Sequence, residues 1–275
     1  MKKYLKIIMI ALGLMGTATA VYSEALTIAV GQPTRGYEKR GKLIVERLIA
    51  AGDPAVIKNY EGSDAISRAV CGNEAGAGIV QIDAIYTRAK EGCRLRPAFM
   101  YGTEHVYLMV PPNSNIDALD DFTNTTKVLI DTIGSGTDLF WQTVKDIETG
   151  KDGNKSPWST ANAINDPIFT AIPSAETGEI DAVIMVTTSD SPELKELYDA
   201  GWRMASFYDK DINDELFNGE SLYVAESAEI EKTGSWSNES NDSYAVRSFI
   251  VVDTDVAKDR KLFGDVTAAA KATAK

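Results

Sequence analysis

The sequence predicts an α/β protein built as two similar lobes, each a mostly parallel sheet flanked by helices, with a ligand cleft between them. Three observations carry that expectation. Strand-like and helix-like segments alternate along nearly the whole chain, the pattern of a parallel sheet covered by helices. A strand–glycine turn–helix unit occurs twice, at residues 26–51 and 127–147. A glycine-led approach to a strand also occurs twice, at residues 76–83 and 178–188. A chain of 275 residues is long enough for two lobes of ordinary size.

The first twenty residues stand apart from this pattern. Lys2, Lys3 and Lys6, the apolar run 7–15 and the small-x-small Ala18-Thr19-Ala20 read as a cleaved export signal over residues 1–20. Ser23-Glu24-Ala25 offers a second cut site, and a retained anchor is the alternative. The run is too short to span a bilayer, and no Cys follows it to carry a lipid. Cleavage removes three lysines and no acids, so the formal charge of −12 becomes −15. Such a chain repels nucleic acid and anionic lipid, and no nucleic-acid partner is expected.

In the first half, 26–30 is a strand, broken by Gly31-Gln32-Pro33-Thr34-Arg35-Gly36, and apolar positions at helical spacing run on to Ala51. Gly52-Asp53-Pro54 stops that helix. Residues 55–60 are a strand, Glu61-Gly62-Ser63 a turn, 64–71 a short helix, 77–82 a third strand and 83–91 a helix. Residues 96–101 and 105–110 read as two further strands, ended by Pro111-Pro112-Asn113, the first lobe boundary.

In the second half, 116–122 is a short helix or turn. Val128-Leu129-Ile130 is a buried strand that turns through Gly134-Ser135-Gly136-Thr137 into an amphipathic helix. Residues 150–159 read as an exposed loop, 166–177 as a helix, 183–186 as a strand. Thr187-Thr188-Ser189 then turns into a helix with Pro192 in its first turn, a favoured place for proline. Residues 202–207 are a strand, 220–226 a strand crossing back, 232–243 a polar loop, 245–252 a strand, and 256 onward a final helix. The lobes are therefore expected at 21–110 with 220–275, and at 111–219.

An even pair of cysteines in an exported chain reads as a disulfide, Cys71–Cys93, with two buried thiols as the alternative. Neither lies in a metal-binding spacing, and His105 is the only histidine, so no metal or cofactor is expected. Ligands of open α/β sheets sit where loops leave the carboxyl ends of strands. Gly134, Ser135, Gly136 and Thr137 place free N–H groups and two hydroxyls at such a point, a seat for a carboxylate or phosphate oxygen or only a self-capping turn.

The export signal, LTIAVGQPTRGY, GIVQIDA, HVYLMVPPNS, TIGSGTDLFW and GEIDAVIMVTT together resemble type II periplasmic solute-binding proteins. Their order is most similar to the TAXI-type substrate receptors of TRAP transporters, though GQPTRGY replaces the Gly/Thr/Ser-rich first loop usual there. The resemblance implies a periplasmic monomer whose lobes close on a small solute and deliver it to membrane permease subunits. It carries the contacts to Gln32, Thr34, Arg35 and Tyr37, to Glu61 and Ser63, to Gln81 and Asp83, to Gly134–Thr137, and to Thr187 and Thr188. Arg35 is the expected anchor for a carboxylate, since a guanidinium holds one with two parallel hydrogen bonds. Asp83 or Glu61 would hold an ammonium if it faced the cleft, and Asp83 is otherwise a helix cap. Tyr101 is a solute-stacking candidate or a core ring. A ligand-presenting module for a membrane sensor fits the same features. An exported hydrolase does not fit well: Ile133 spoils a G-x-S-x-G elbow at Ser135, and His105 is the sole histidine base.

Overall fold

The structure is a computed structural model that describes residues 25–150, 155–230 and 239–274. The expected export signal lies outside the described residues. The first half runs β1 (Leu26–Val30), α1 (Gly36–Ala50), β2 (Ala55–Asn59), α2 (Ser63–Cys71), β3 (Ala77–Gln81), α3 (Ile82–Lys90) and the long β4 (Arg96–Val110). The second half runs β5 (Lys127–Leu129), α4 (Gly136–Gly150), β6 (Asn162–Ile164), α5 (Ala171–Glu176), β7 (Ala182–Thr187), α6 (Pro192–Asp199) and β8 (Arg203–Ala205). The remainder comprises α7 (Lys210–Asn213), the hairpin β9 (Leu216–Phe217) and β10 (Glu220–Ser221), β11 (Val224–Ile230), the long β12 (Glu239–Val252), α8 (Thr254–Lys258) and α9 (Arg260–Thr273).

The strand order is β2-β1-β3-β12-β4-β7-β5-β6, with β11 on β12 and β8 on β4. Read from either end it is the same: a parallel triplet followed by one long antiparallel strand. The two lobes are thus two copies of one unit, and the sheet is parallel in the outer triplets and antiparallel at the seam. The inner triplet strands β1, β3, β5 and β7 are short and mostly apolar because helices cover both faces, while the edge strands β2 and β6 are more exposed.

The crossing is made by β4 and β12, which pair with each other from Arg96–Val252 to His105–Ala245. The two strands expected at 96–101 and 105–110 are therefore one strand of 15 residues; Gly102-Thr103-Glu104 reads as a break but is simply its polar middle. The crossing expected at 220–226 is not there. That segment is a hairpin strand followed by β11, which pairs antiparallel with the first half of β12 and packs Ala228 and Ile230 on the second lobe's core. Of the polar loop expected at 232–243, residues from Glu239 onward belong to β12 and 231–238 lie outside the described residues. The helix expected at 166–177 is a short turn at Ile168–Thr170 followed by α5.

The largest apolar cluster joins the lobes behind the cleft. Ile66, Val70 and Ile85 from α2 and α3 meet Phe140, Trp141 and Val144 of α4, with Tyr223 and Tyr244 completing the cluster. Phe140 lies edge-on to Tyr223 at 5.0 Å between ring centroids. Each ring pair adds roughly 0.5–1.5 kcal/mol beyond its buried area.

Cys71, at the end of α2, is bonded to Cys93, just after α3, as expected. The loop spans a sequence separation of 22. On the chain-entropy model a loop of this size stabilises by about 3 kcal/mol. A double Cys→Ala protein should therefore unfold at lower urea with an intercept reduced by about that amount, and thiol reductant should do the same to the wild type.

Candidate functional site

The turns after β1 and β5 are built alike. Thr34 and Gly134 both have positive φ, at 71° and 81°. The Thr34 N–H donates to Glu38 Oε2 and the Gly134 N–H to Asp138 Oδ2, each at 2.9 Å and four residues on. Both turns lead into helices of 15 residues, α1 and α4. In each, the carboxylate satisfies an N–H that the helix start leaves without a partner. The repeated pattern legible in the sequence is thus repeated atom by atom.

A cavity of about 760 Å³ opens between these turns. That size suits a small metabolite. The first lobe lines it with the loop after β1, the start of α1, the turn after β2, the end of β3, and Glu104 in mid-β4. The second lobe contributes Asp131, Ser135–Thr137, Val186–Thr188 and the start of α6. Of the residues expected from sequence, Gln32, Thr34, Arg35, Tyr37, Glu61, Ser63, Gln81, Ser135, Gly136, Thr137, Thr187 and Thr188 line it.

Two expected residues do not. Gly134 stays out of the lining, and its carbonyl faces Gly62 across the cleft. Asp83 is fully buried, accepting the Ala84 N–H at 2.8 Å and the Tyr223 hydroxyl at 3.2 Å. Burial pushes its carboxyl up to about 7. The reason is geometric: the strand ends at Gln81, and in the helix that follows each residue turns by about 100°, so Asp83 points away from the face Gln81 presents. Tyr101 is also a core ring, with its hydroxyl on Thr273 and Arg40 over its face at 5.0 Å. His105 lies outside the lining, with Nε2 at 3.8 Å from Glu226.

Arg35 spans the cleft. Its Nη1 lies 3.2 Å from Asp131 Oδ2 and its Nη2 4.0 Å from Glu193 Oε1, both in the other lobe. Asp131 sits at positive φ directly after β5, a conformation an aspartate tolerates, and its own Thr132 N–H fixes Oδ1. Arg35 remains 43% exposed, so its other N–H groups are open to a solute.

A half-buried carboxylate lines the cavity from β4. Glu104 Oε2 accepts from Gln81 Nε2 at 2.7 Å and from the Tyr37 hydroxyl at 3.1 Å. Burial raises its carboxyl above the usual range, while Gln81, Tyr37 and Arg40 oppose the shift. Burial, then Glu104, pushes the Tyr37 phenol well up, so it stays a donor. Gln81 Oε1 is buried with no partner and stands over Gly136, where even a Cβ would lie 2.5 Å away. Glu104, Asp131, Glu193 and Arg40 were not expected from sequence. Their roles depend on partners across the cleft or on a strand that reads as two.

Other polar residues of the lining have hydrogen-bond partners within the protein. Ser135 Oγ accepts the Asp138 N–H at 3.0 Å and Thr137 Oγ1 the Val186 N–H at 3.0 Å, so each keeps its hydroxyl proton to donate. Ser63 Oγ accepts the Gln81 N–H, Gln32 donates to Glu61 at 2.6 Å, and Thr188 bonds Asp190. Five carboxylates (Glu61, Glu104, Asp131, Asp190, Glu193) face three cations (Arg35, Lys39, Arg40) in the lining, so the cavity holds both charges with the acids in excess.

No family model matches the sequence, and no curated protein matches it. Solved structures do resemble it in shape. The substrate-binding protein of an amino acid ABC transporter aligns over 90% of this chain and 92% of its own, at 12% identity and a TM-score of 0.52. An ancestral arginine-binding protein bound to arginine aligns over 90% and 91%, at 15% identity and a TM-score of 0.52. A Xanthomonas citri protein bound to ATP aligns over 90% and 82%, at 10% identity and a TM-score of 0.56. The chain therefore shares the two-lobed α/β fold of periplasmic-type solute-binding proteins, with its cleft at the carboxyl ends of the strands.

Proposed function

We propose that this protein is an exported solute receptor that binds a small metabolite bearing both a carboxylate and an amine, and delivers it to membrane permease subunits. The observation that carries this is the cavity between the lobes, in which open guanidinium donors and a half-buried carboxylate meet. Arg35, with the N–H groups and hydroxyls at Ser135 and Thr137, takes the carboxylate. Glu104, assisted by the free Gln81 Oε1, takes the amine. The jaws proposed are the units 21–110 with 220–275 and 111–219, joined by β4 and β12, with β11 (Val224–Ile230) packed on the second jaw. The solved structures support a solute receptor and are binding proteins rather than enzymes where their descriptions say so. The order of sequence motifs favours a permease of the TRAP type with this chain as its TAXI-type receptor, and the export signal favours the periplasm. No described helix is long and apolar enough to cross a membrane.

Thermal melting against amino acids, dicarboxylates and oxoacids tests this reading. A ligand at a hundred times its Kd adds about 2.7 kcal/mol to native stability and raises Tm. Absence of any stabiliser in the panel and in cell extract would sink it. With the ligand in hand, Arg35→Ala should weaken binding about 10- to 100-fold, the range set by hydrogen bonds to charged groups at roughly 1.5–3 kcal/mol. Glu104→Gln should weaken the amine-bearing ligand more than its deaminated analogue; equal losses would remove the amine assignment.

A further inference from the structure

We propose that the second lobe carries a calcium site, remote from the cleft, formed by Glu148, Asp209 and Asp211. Glu148 lies in the last turn of α4, Asp209 caps α7, and Asp211 is that helix's second residue. One carboxylate oxygen from each lies within 4.8 Å of the others. Oxygens bound to one calcium ion at about 2.3–2.6 Å are at most about 5 Å apart, so the three already have the spacing of a single coordination shell.

A second observation sets this cluster apart from an ordinary acidic patch. Glu148 is only 2% exposed, yet its Oε2 is buried with no partner. Its Oε1 accepts the Ser156 N–H, which holds the carboxylate in place. A bare carboxylate oxygen inside a protein is costly unless a cation meets it. The lysines on the same two helices have other partners: Lys210 pairs with Asp214 at 2.6 Å, and Lys145 stands 5.8 Å over the Trp141 ring. Among the described residues no lysine or arginine pairs with any of the three acids.

Asp209 is fixed for the role. Its Oδ1 accepts the N–H groups of Asp211 and Ile212, at 2.7 and 3.3 Å, and its Oδ2 accepts the Trp158 indole N–H at 3.0 Å. That leaves a lone pair on Oδ2. The donors are all oxygen, which selects a hard cation over zinc or copper. Calcium accepts an irregular set of six to eight oxygens completed by water, whereas magnesium demands an octahedron and gives up water reluctantly. The expectation of no metal rested on histidine and cysteine spacing, to which an oxygen-only site is invisible.

Trp158 is a built-in reporter, since its indole touches Asp209 and its ring lies 5.7 Å from that of Trp141. The purified full chain, stripped with chelator, would be titrated with Ca²⁺ against Mg²⁺ and matched NaCl. Both tryptophan fluorescence and melting would be followed. A saturable fluorescence change with half-effect at or below about 1 mM Ca²⁺, accompanied by a higher Tm, is expected. Asp211→Asn, at a half-exposed position that a folded protein tolerates, should weaken the response at least tenfold, and Glu148→Gln should abolish it. Solute binding in the cleft should be untouched by Asp211→Asn. A flat titration, a response equalled by NaCl, or one that survives Asp211→Asn would overturn the site.

Discussion

A Gly62→Val protein is expected to fold normally and to bind its solute about 100-fold more weakly. Gly62 sits at the start of α2 with extended backbone, φ 173° and ψ −162°, which valine adopts without strain. A Cβ there would lie 2.6 Å from the Gly134 carbonyl oxygen and 2.7 Å from Ser135 Cα. Both are backbone atoms of the opposite jaw, so no side-chain rotation relieves the clash. The jaws themselves must part. Overpacking costs typically 1–3 kcal/mol, and the upper part of that range corresponds to a hundredfold in affinity. Because the obstruction lies between lobes, not within one, circular dichroism and the ligand-free Tm should stay near wild type. Small-angle scattering should show a larger radius of gyration. Unchanged affinity in Gly62→Val would show that the solute is held without this contact.

The second large effect is on stability against pH. Asp83 has its carboxyl pushed up to about 7, chiefly by burial, with the charge of Glu104 adding to the shift and the bonds from Tyr223 and Ala84 opposing it. Its ordinary value is 3.8. Between those two values the native state keeps a proton that the unfolded chain gives up. Unfolding therefore releases a proton, and stability falls as pH rises from about 4 through about 7, then levels off. A gap of about three units corresponds to up to about 4 kcal/mol. Glu104, also raised by burial, slopes the same way and is left in place. Asp83→Asn keeps an acceptor for the Ala84 N–H and carries no charge. In urea unfolding across pH 4–8, wild type should lose up to that amount relative to Asp83→Asn. A constant difference between the two curves would mean that Asp83 is ionised throughout.

The first triplet, β5 and β7 of the second, the turns after β1 and β5, and about half of the cleft lining were legible because each is written in a contiguous stretch, whereas the three-residue β6 carries no such signal. Apolar runs of strand length end in glycine turns, and those turns fold locally into the same shape. The errors fall where local reading has no purchase. Thr103 and Glu104 look like a break between strands because a strand that passes between two lobes exposes its middle to the cleft. Asp83 reads as a cleft residue because it follows Gln81 at the end of a strand, but the helix begins one residue before it and its side chain is buried. Asp131 gains its role from Arg35, 96 residues away in sequence. The place of Arg35 in the cleft was thus readable, and the acids that pair with it were not.

The matched turns after β1 and β5 carry a difference that bears on which way round a solute lies. Thr34-Arg35-Gly36 and Gly134-Ser135-Gly136 occupy equivalent places in the two lobes. Had both carried serine, the seat would be nearly two-fold symmetric, and an asymmetric molecule would fit equally well head-first or tail-first. Arginine in one copy and a small hydroxyl in the other break that symmetry, as do Gly31 against Asp131 and Thr34 against Gly134. The same difference that supplies charge therefore also gives the cavity a direction: a molecule lying between the two turns meets a guanidinium at one end and a hydroxyl at the other.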